Sequence, residues 1–299
     1  MDNLSMNNSS IGTSNKESNI DKKIEQLIIT NQLKEIELEE LWQLMDDVWD
    51  ELGCDNQKID MEKLSLFYNH PIWLLNGLFI EQHELSMQNR RIIADWINSN
   101  KNEINSVVDY GGGFGTLARL IAQNDKNMII DIYEPHPNQL AVEKSISCTN
   151  IKFINSLSNQ YDCLVSTDVL EHVTDPLSLF AEMIGSVKVG GYLIIVNCFY
   201  PVIKCHLPTA FHFRYTFKLF AQLMGLDIVE KIKNTPICIY KKSKSKSIEL
   251  ENIRNLENIS KYLFPLLRIF HIGYRNFKKN TDKNYAEAFK KPGVEKIKI

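Results

Sequence analysis

Glycine is scarce in this chain, 13 in 299 residues, and proline scarcer still, at nine. The six cysteines (Cys54, Cys148, Cys163, Cys198, Cys205, Cys238) form no Cys-x-x-Cys pair, which excludes a disulfide framework of the small secreted kind and leaves reduced thiols as the expectation. Long apolar runs are missing as well. No charge-free apolar stretch reaches the about 18 residues a membrane-spanning helix needs, and the opening MDNLSMNNSSIGTSNKESN holds no apolar secretory core. The expected localisation is cytoplasmic. No internal repeat is evident.

What is present is ordinary in sum and uneven in distribution. With 44% apolar and 24% charged residues the composition is that of a globular protein able to bury a sizeable core. The net charge of −3 conceals an asymmetry: residues 241–299 carry 15 Lys and Arg against 6 Asp and Glu, or +9, leaving −12 for residues 1–240. A basic end of this kind suits an anionic partner such as a membrane surface, nucleic acid or charged glycan, although KKSKSKS also has the composition of a solvated linker.

Read along the chain, residues 1–20 are polar, Asn- and Ser-rich and expected to be disordered. Residues 21–100 form a helical region, in which DKKIEQLIITNQLKEIELEELWQLMDDVWDEL repeats apolar residues at three- and four-residue spacing. Ser86 is the expected N-cap of its last helix. From 101 to 242 short apolar runs alternate with helical stretches. Strands are expected near Ser106–Tyr110, Met128–Tyr133, Lys152–Ile154, Cys163–Ser166 and Tyr192–Asn197, with helices near Thr116–Gln123, Asn138–Ser145 and Pro176–Ser186. LDIVEKIKN and ICIYKKS close the series as an antiparallel pair. Residues 243–299 are a basic, partly helical extension whose periodicity Pro265 is expected to interrupt. The fold class is therefore α/β: a Rossmann-like, doubly wound, mostly parallel seven-stranded sheet with a closing antiparallel strand and an N-terminal helical cap.

Four of the few glycines fall within five positions, in VVDYGGGFGTLARLIA (residues 107–122), where an apolar strand gives way to a helix. A glycine-rich turn at that place lets a ligand approach the backbone at the carboxyl edge of the sheet. The pattern Gly111-x-Gly113-x-Gly115 is followed by Thr116, so the dinucleotide fingerprint lacks its third glycine, and no Gly-Lys-Ser/Thr follows to make a phosphate loop. Glu134 ends the second strand 19 residues after Gly115, where a carboxylate can accept hydrogen bonds from both hydroxyls of a ribose. With Asp109 adding negative charge beside the turn, a cationic nucleoside fits better than a polyphosphate.

These segments resemble the class I S-adenosylmethionine-dependent methyltransferases, particularly the ubiquinone-biosynthesis O-methyltransferases and sugar methyltransferases. VVDYGGGFG is similar to that family's first motif, IIDIYEP to its ribose-binding strand end, YDCLVSTDVLEHVTDP to its fourth-strand motif and VKVGGYLIIVNCF to its fifth strand, in the family's order over residues 107–199. The resemblance implies S-adenosylmethionine as cofactor, with Asp109, Gly111, Gly113 and Gly115 along its methionine half, Glu134 at the ribose and Pro135 beside the adenine. The family often has an acidic residue after the third strand; here Asn155, Ser156 and Leu157 stand there, and Ser156 is the candidate contact. Asp168 is the candidate from the fourth-strand segment.

Methyl transfer is an in-line displacement from a sulfonium, so positioning can supply most of the catalysis without a metal. A hydroxyl acceptor gains from a general base of near-neutral pKa. The candidates are His172, His206 and His212. Cys205, His206 and His212 match no zinc spacing, and no metal is expected. Tyr68, His70 and Trp73 lie on the helical segment that would lid the site, and Arg214 sits among aromatics in FHFRYTF. The acceptor is expected to be an oxygen of a sugar, glycan precursor or other small metabolite. A non-catalytic cofactor-binding subunit and an N- or nucleic-acid methyltransferase are the alternatives, the last disfavoured because no Asn/Asp-Pro-Pro-Tyr/Phe motif follows the fourth strand. The absence of Tyr-x-x-x-Lys there argues against a nucleotide-dependent oxidoreductase. Peripheral membrane contact would come through the basic C-terminal region.

Overall fold

Buried β-branched runs drive the sheet. In the computed structural model, which describes residues 18–31, 33, 36–157, 160–243 and 249–281, strands β1 (Ser106–Tyr110), β2 (Ile129–Tyr133), β3 (Ile151–Ile154), β4 (Tyr161–Thr167) and β5 (Val187–Val196) pair in parallel. Strand β7 (Cys238–Lys242) runs antiparallel to both β5 and β6 (Leu226–Lys231), giving the order β3-β2-β1-β4-β5-β7-β6. Strand β5 begins five residues before its apolar run. Its first half, VKVGG, is largely exposed, so no hydrophobic pattern marks it.

Alternate residues of each strand enter opposite faces. Val108, Leu164, Leu193 and Ile195 pack with Leu177 and Phe180 of α8 (Pro176–Gly185) and Phe213, Phe217 and Phe220 of α9 (Phe213–Leu223). Val107, Ile130, Val165 and Ile194 pack on the other face with Ile93 and Ile97 of α5 (Glu84–Ser99) and Leu117 and Ile121 of α6 (Thr116–Asn124). Asn138 caps α7 (Gln139–Ser145) by accepting from the Leu140 N–H at 2.9 Å, and Asp175 caps α8 with Pro176 in its first turn.

Helices α1 (Asn19–Thr30), α2 (Leu38–Glu51), α3 (Met61–Tyr68) and α4 (Ile72–Gln82) build a third core around Leu41, Val48, Trp49, Phe67 and Leu75. That core is continuous with the turn after β1 through Phe114, and with the segment after β5 through Cys205 and Leu207. Helix α5 does not start at Ser86: it begins at Glu84, and Ser86 lies inside it with its hydroxyl 2.8 Å from Nδ1 of His83.

Two contacts hold α4 against α6, α7 and the turn after β1. Glu81 at its end bonds Arg119, Lys144 at 2.6 Å and the Thr116 hydroxyl at 3.3 Å. Burial pushes the Glu81 carboxyl up, but Lys144 and Arg119 together hold it below its ordinary value. Gly77 faces Phe114 so closely that a Cβ there would fall 2.6 Å from the Phe114 Cβ.

Helix α10 (Leu250–Thr281) runs unbroken through Pro265, against expectation. Pro265 lies on the exposed side, where water can satisfy the carbonyl that its missing N–H leaves free. The opposite seam of buried and half-buried residues, Ile253, Glu257, Ser260, Phe264, Leu267 and His271, repeats at four and three residues and docks the helix on the body. Arg254 anchors the near end, 2.6 Å from Asp175 Oδ1 and 2.7 Å from the Ser178 hydroxyl. Of the expected disordered N-terminus, residues 1–17 lie outside the described residues, as do 244–248 and 282–299 of the basic extension.

Replacing Gly77 with Val is expected to lower stability by about 1–3 kcal/mol, because Phe114 backs onto the glycine turn and has no room to retreat. Urea unfolding of the purified variant checks it; an unchanged midpoint would show that the cap is not seated through this contact.

Candidate active site

Parallel register brings four strand ends to one edge. Tyr110 pairs with Tyr133 and with Ser166, and Tyr133 pairs with Ile154, so the turns after β1, β2, β3 and β4 stand side by side. The turn after β1 is left-handed at Gly111 (φ 68°), Gly113 (φ 51°) and Gly115 (φ 70°), a conformation that L side chains resist. Space adds a second requirement. A Cβ on Gly111 would fall 2.5 Å from Val169, and one on Gly112 would fall 2.9 Å from both Asp109 and Ile132. Gly113 differs: its nearest neighbour would be 4.0 Å away, so it opens on free space.

Glu134, at the end of β2, accepts from the Gly113 N–H at 2.9 Å and the His136 N–H at 3.1 Å, which fixes its carboxylate beside that space. Pro135 is exposed next to it, and Ser156 is exposed in the bend after β3. Asp109 lies beneath the turn at 1% exposure, and its Oδ2 finds no hydrogen-bond partner among the described residues. Burial pushes its carboxyl up to about 7, with Arg90 opposing and Glu134 adding to the rise. Arg90 of α5 is a site residue that the sequence reading misses. Its charge acts on both Asp109 and Asp168, yet nothing in SMQNRRIIADWI separates it from its neighbour Arg91, which pairs with exposed Glu84 at 2.8 Å.

After β4, Asp168 adopts a left-handed conformation (φ 55°) with its N–H on the Val196 carbonyl at 2.9 Å. Glu171 is fully buried; its Oε1 accepts from the Cys198 N–H at 2.6 Å. Burial first and Asp168 second raise its pKa well above the usual range, and its Oε2 is buried without a hydrogen-bond partner among the described residues.

His172 places Nδ1 3.2 Å from the Cys205 carbonyl. Only a protonated nitrogen can bond there, so Nε2 holds the free lone pair of the neutral ring. Burial, and then His206, lower the His172 pKa well below 6.5. The cap supplies its surroundings: Trp73 and Tyr68 meet the imidazole edge-to-face at 5.9 and 6.3 Å, and the Tyr68 hydroxyl donates to the His172 carbonyl at 3.4 Å. The Trp73 indole N–H is buried without a partner among the described residues.

His206 joins this group, 4.8 Å from His172 between ring centres, with Nδ1 on the Tyr200 carbonyl at 2.7 Å and a pKa brought down to about 4 by burial. His212 and His70 do not. His212 faces Ser260 at 2.9 Å and Glu257 at 3.7 Å under α10, and His70 bonds Asp21 of α1 at 3.0 Å. The donor atoms that converge are those of Glu171, His172 and His206, within 4.8 Å of one another, rather than Cys205, His206 and His212. A cation there would need Glu171 ionised, which its burial opposes.

An orphaned buried carboxylate oxygen, an open space over Gly113 and a second carboxylate at Glu134 suit a ligand that is cationic and carries paired hydroxyls. Residues 82–217 match the family model described as a methyltransferase domain. The ubiquinone biosynthesis O-methyltransferase of Coxiella burnetii (strain RSA 331) is 24% identical over 178 residues, covering 56% of this chain and 74% of that one. The enzyme of the same name from Aliivibrio fischeri (strain ES114) is 26% identical over 130 residues, covering 40% and 55%. An O-methyltransferase family protein from Burkholderia thailandensis shares the fold, with a TM-score of 0.51 at 15% identity over 69% of this chain and 71% of that one. Over residues 82–217 this chain is thus similar in sequence to methyltransferase domains, and its sheet shares the fold of an O-methyltransferase family protein.

Proposed function

We propose that the chain binds S-adenosylmethionine and transfers its methyl group to an oxygen of a sugar, a glycan precursor or a similar small hydroxylated metabolite. The observation that carries this reading is the tautomer of His172: a neutral imidazole at the carboxyl edge, its Nδ1 committed to a backbone carbonyl and its Nε2 lone pair left free. Bound S-adenosylmethionine supplies a methyl carbon on a sulfonium leaving group. The protein's part is to hold and to dry. Gly113 leaves the room, Asp109 and Glu134 provide negative charge, and Tyr68, Trp73 and His206 surround the base with apolar edges that exclude water. His172 Nε2 takes the hydroxyl proton as the oxygen attacks. In this reading residues 21–100 form the lid that selects the acceptor, and the aromatic rings that α3 and α4 place beside His172 suit the face of a sugar or other ring. The similar proteins of Coxiella burnetii and Aliivibrio fischeri are named as O-methyltransferases, which supports oxygen as the acceptor atom.

Gly113→Val is expected to abolish S-adenosylmethionine binding in calorimetric titration while circular dichroism stays native. Glu134→Ala should weaken binding by about 1–3 kcal/mol through lost hydrogen bonds to a charged group. Unchanged affinity in both would remove the cofactor from this turn. Because the Asp109 carboxyl sits at about 7 in the free protein, a cationic ligand favours its ionised form. Affinity should therefore rise as pH climbs through 7, level off above it, and lose this dependence in Asp109→Asn. S-adenosylhomocysteine, which lacks the sulfonium charge, should show a smaller slope in the same titration.

His172→Gln should lower kcat by about 10²- to 10⁴-fold with cofactor affinity retained, whereas His212→Gln should leave kcat unchanged. Since the His172 pKa lies well below 6.5, the acid limb of kcat should also fall below that pH. Methyl transfer from labelled cofactor to nucleotide sugars and phenolic metabolites measures both; equal rates in the two variants would remove His172 as the base.

A further inference from the structure

Helix α4 follows a residue that cannot cap it. Pro71, at the capping position, has no side-chain acceptor and no N–H, and makes no side-chain bond to the helix. The Ile72 N–H donates instead to Nδ1 of His70 at 3.1 Å. Ile72 is fully buried, so water cannot replace that acceptor, and a buried donor left alone is costly. The bond also fixes the state of the ring. A nitrogen that accepts carries no proton, so the other nitrogen of the neutral imidazole, Nε2, holds it and donates to Asp21 Oδ1 at 3.0 Å. Asp21 lies in the first turn of α1. His70 thus ties α1 to the start of α4 through both of its nitrogens.

That corner carries the two rings that the cap sets against His172. Tyr68 ends α3 just before it, and Trp73 directly follows Ile72 with its own N–H on the His70 carbonyl at 3.1 Å. The two rings lie 5.2 Å apart, Phe67 backs them at 5.4 and 5.6 Å, and each meets the His172 imidazole edge-to-face. Any turn of the first residues of α4 must therefore carry Trp73 with it. His172 has separate support from the Cys205 carbonyl, so the corner governs what stands around the proposed base more than the base itself. We propose that His70 is a positioning residue: held by Asp21 of α1, it sets the face of Tyr68 and Trp73 against which the acceptor is placed. The proposal rests on His172 being the base of the proposed methyl transfer.

The test uses magnetic resonance of the full chain carrying isotope-labelled histidine, with the His172 imidazole signals assigned by their loss in His172→Gln. Ring currents of Tyr68 and Trp73 act on those signals, which therefore report where the two rings stand without any acceptor present. His70→Ala should shift them. His70→Asn, whose Oδ1 falls where Nδ1 stands and can accept from Ile72, should restore them, whereas His70→Gln, which reaches Asp21 but not Ile72, should not. With an acceptor that the wild-type chain methylates, drawn from nucleotide sugars and phenolic metabolites, His70→Ala should raise KM about 2- to 30-fold, the range of a lost helix cap. The change in kcat should be smaller, and cofactor affinity should hold, because the glycine turn is untouched. A lower melting temperature with the His172 signals and KM both as in wild type would mean a structural cap only and overturns the proposal. So does restoration by Gln as complete as that by Asn, a contrast that decides alone if His70→Ala folds poorly. Full methyl transfer by His172→Gln would overturn the base instead, and the imidazole signals would still judge the corner.

Discussion

A small volume at the end of β1 must stay free of side chains while the surrounding chain presses in on it. Val169 approaches Gly111 from the β4 segment, and Ile132 of β2 and Asp109 approach Gly112. Three left-handed glycines carry the backbone through this gap. The strand order places β1 between β2 and β4, so the turn sits where the ends of three strands converge. The cap meets the same requirement from the other side, since α4 reaches Phe114 only because Gly77 has no side chain.

The electrostatics follow from the burial. Asp109, Asp168, Glu171 and Glu134 gather around a single guanidinium, Arg90, whose field reaches Asp109 and Asp168. One positive charge cannot neutralise them, so burial pushes the Glu171 carboxyl well above its ordinary range and the Asp109 carboxyl up to about 7. Such a site is under-compensated by design of its packing, and a cationic ligand relieves it where a polyphosphate would aggravate it. In the proposed function, cofactor charge and cofactor shape are therefore selected by different residues, the carboxylates and the glycines.

Much of this was legible in the sequence because it is local. A buried strand, a glycine turn and an acidic strand end are neighbours in sequence and read directly from DYGGGFG and DIYEP. The proposed base was only half legible. His172 and His206 both stand after strands and so were candidates, but the same reasoning admitted His212, which differs only in that α10 returns to cover it. Arg90 was invisible because its role depends on how α5 lies across β1, a tertiary fact with no local pattern. Pro265 misled for the converse reason: the penalty for proline inside a helix assumes a carbonyl left unsatisfied, and on an exposed face water removes that penalty.

The outer helix and the base are less separate than their sequence distance suggests. Phe264 of α10 lies 5.8 Å from the Arg214 guanidinium, which stacks 3.7 Å over the Tyr200 ring and donates to the Phe199 carbonyl at 3.0 Å. The Tyr200 carbonyl in turn fixes Nδ1 of His206, and the His206 ring abuts His172. Each step is a direct contact between rigid groups, so the orientation of the His172 imidazole is set partly by the cap through Tyr68 and Trp73 and partly by α10 through Arg214. Tyr200, His206 and Arg214 lie between these two supports, and in the proposed function they stand beside the Nε2 that an acceptor hydroxyl would reach.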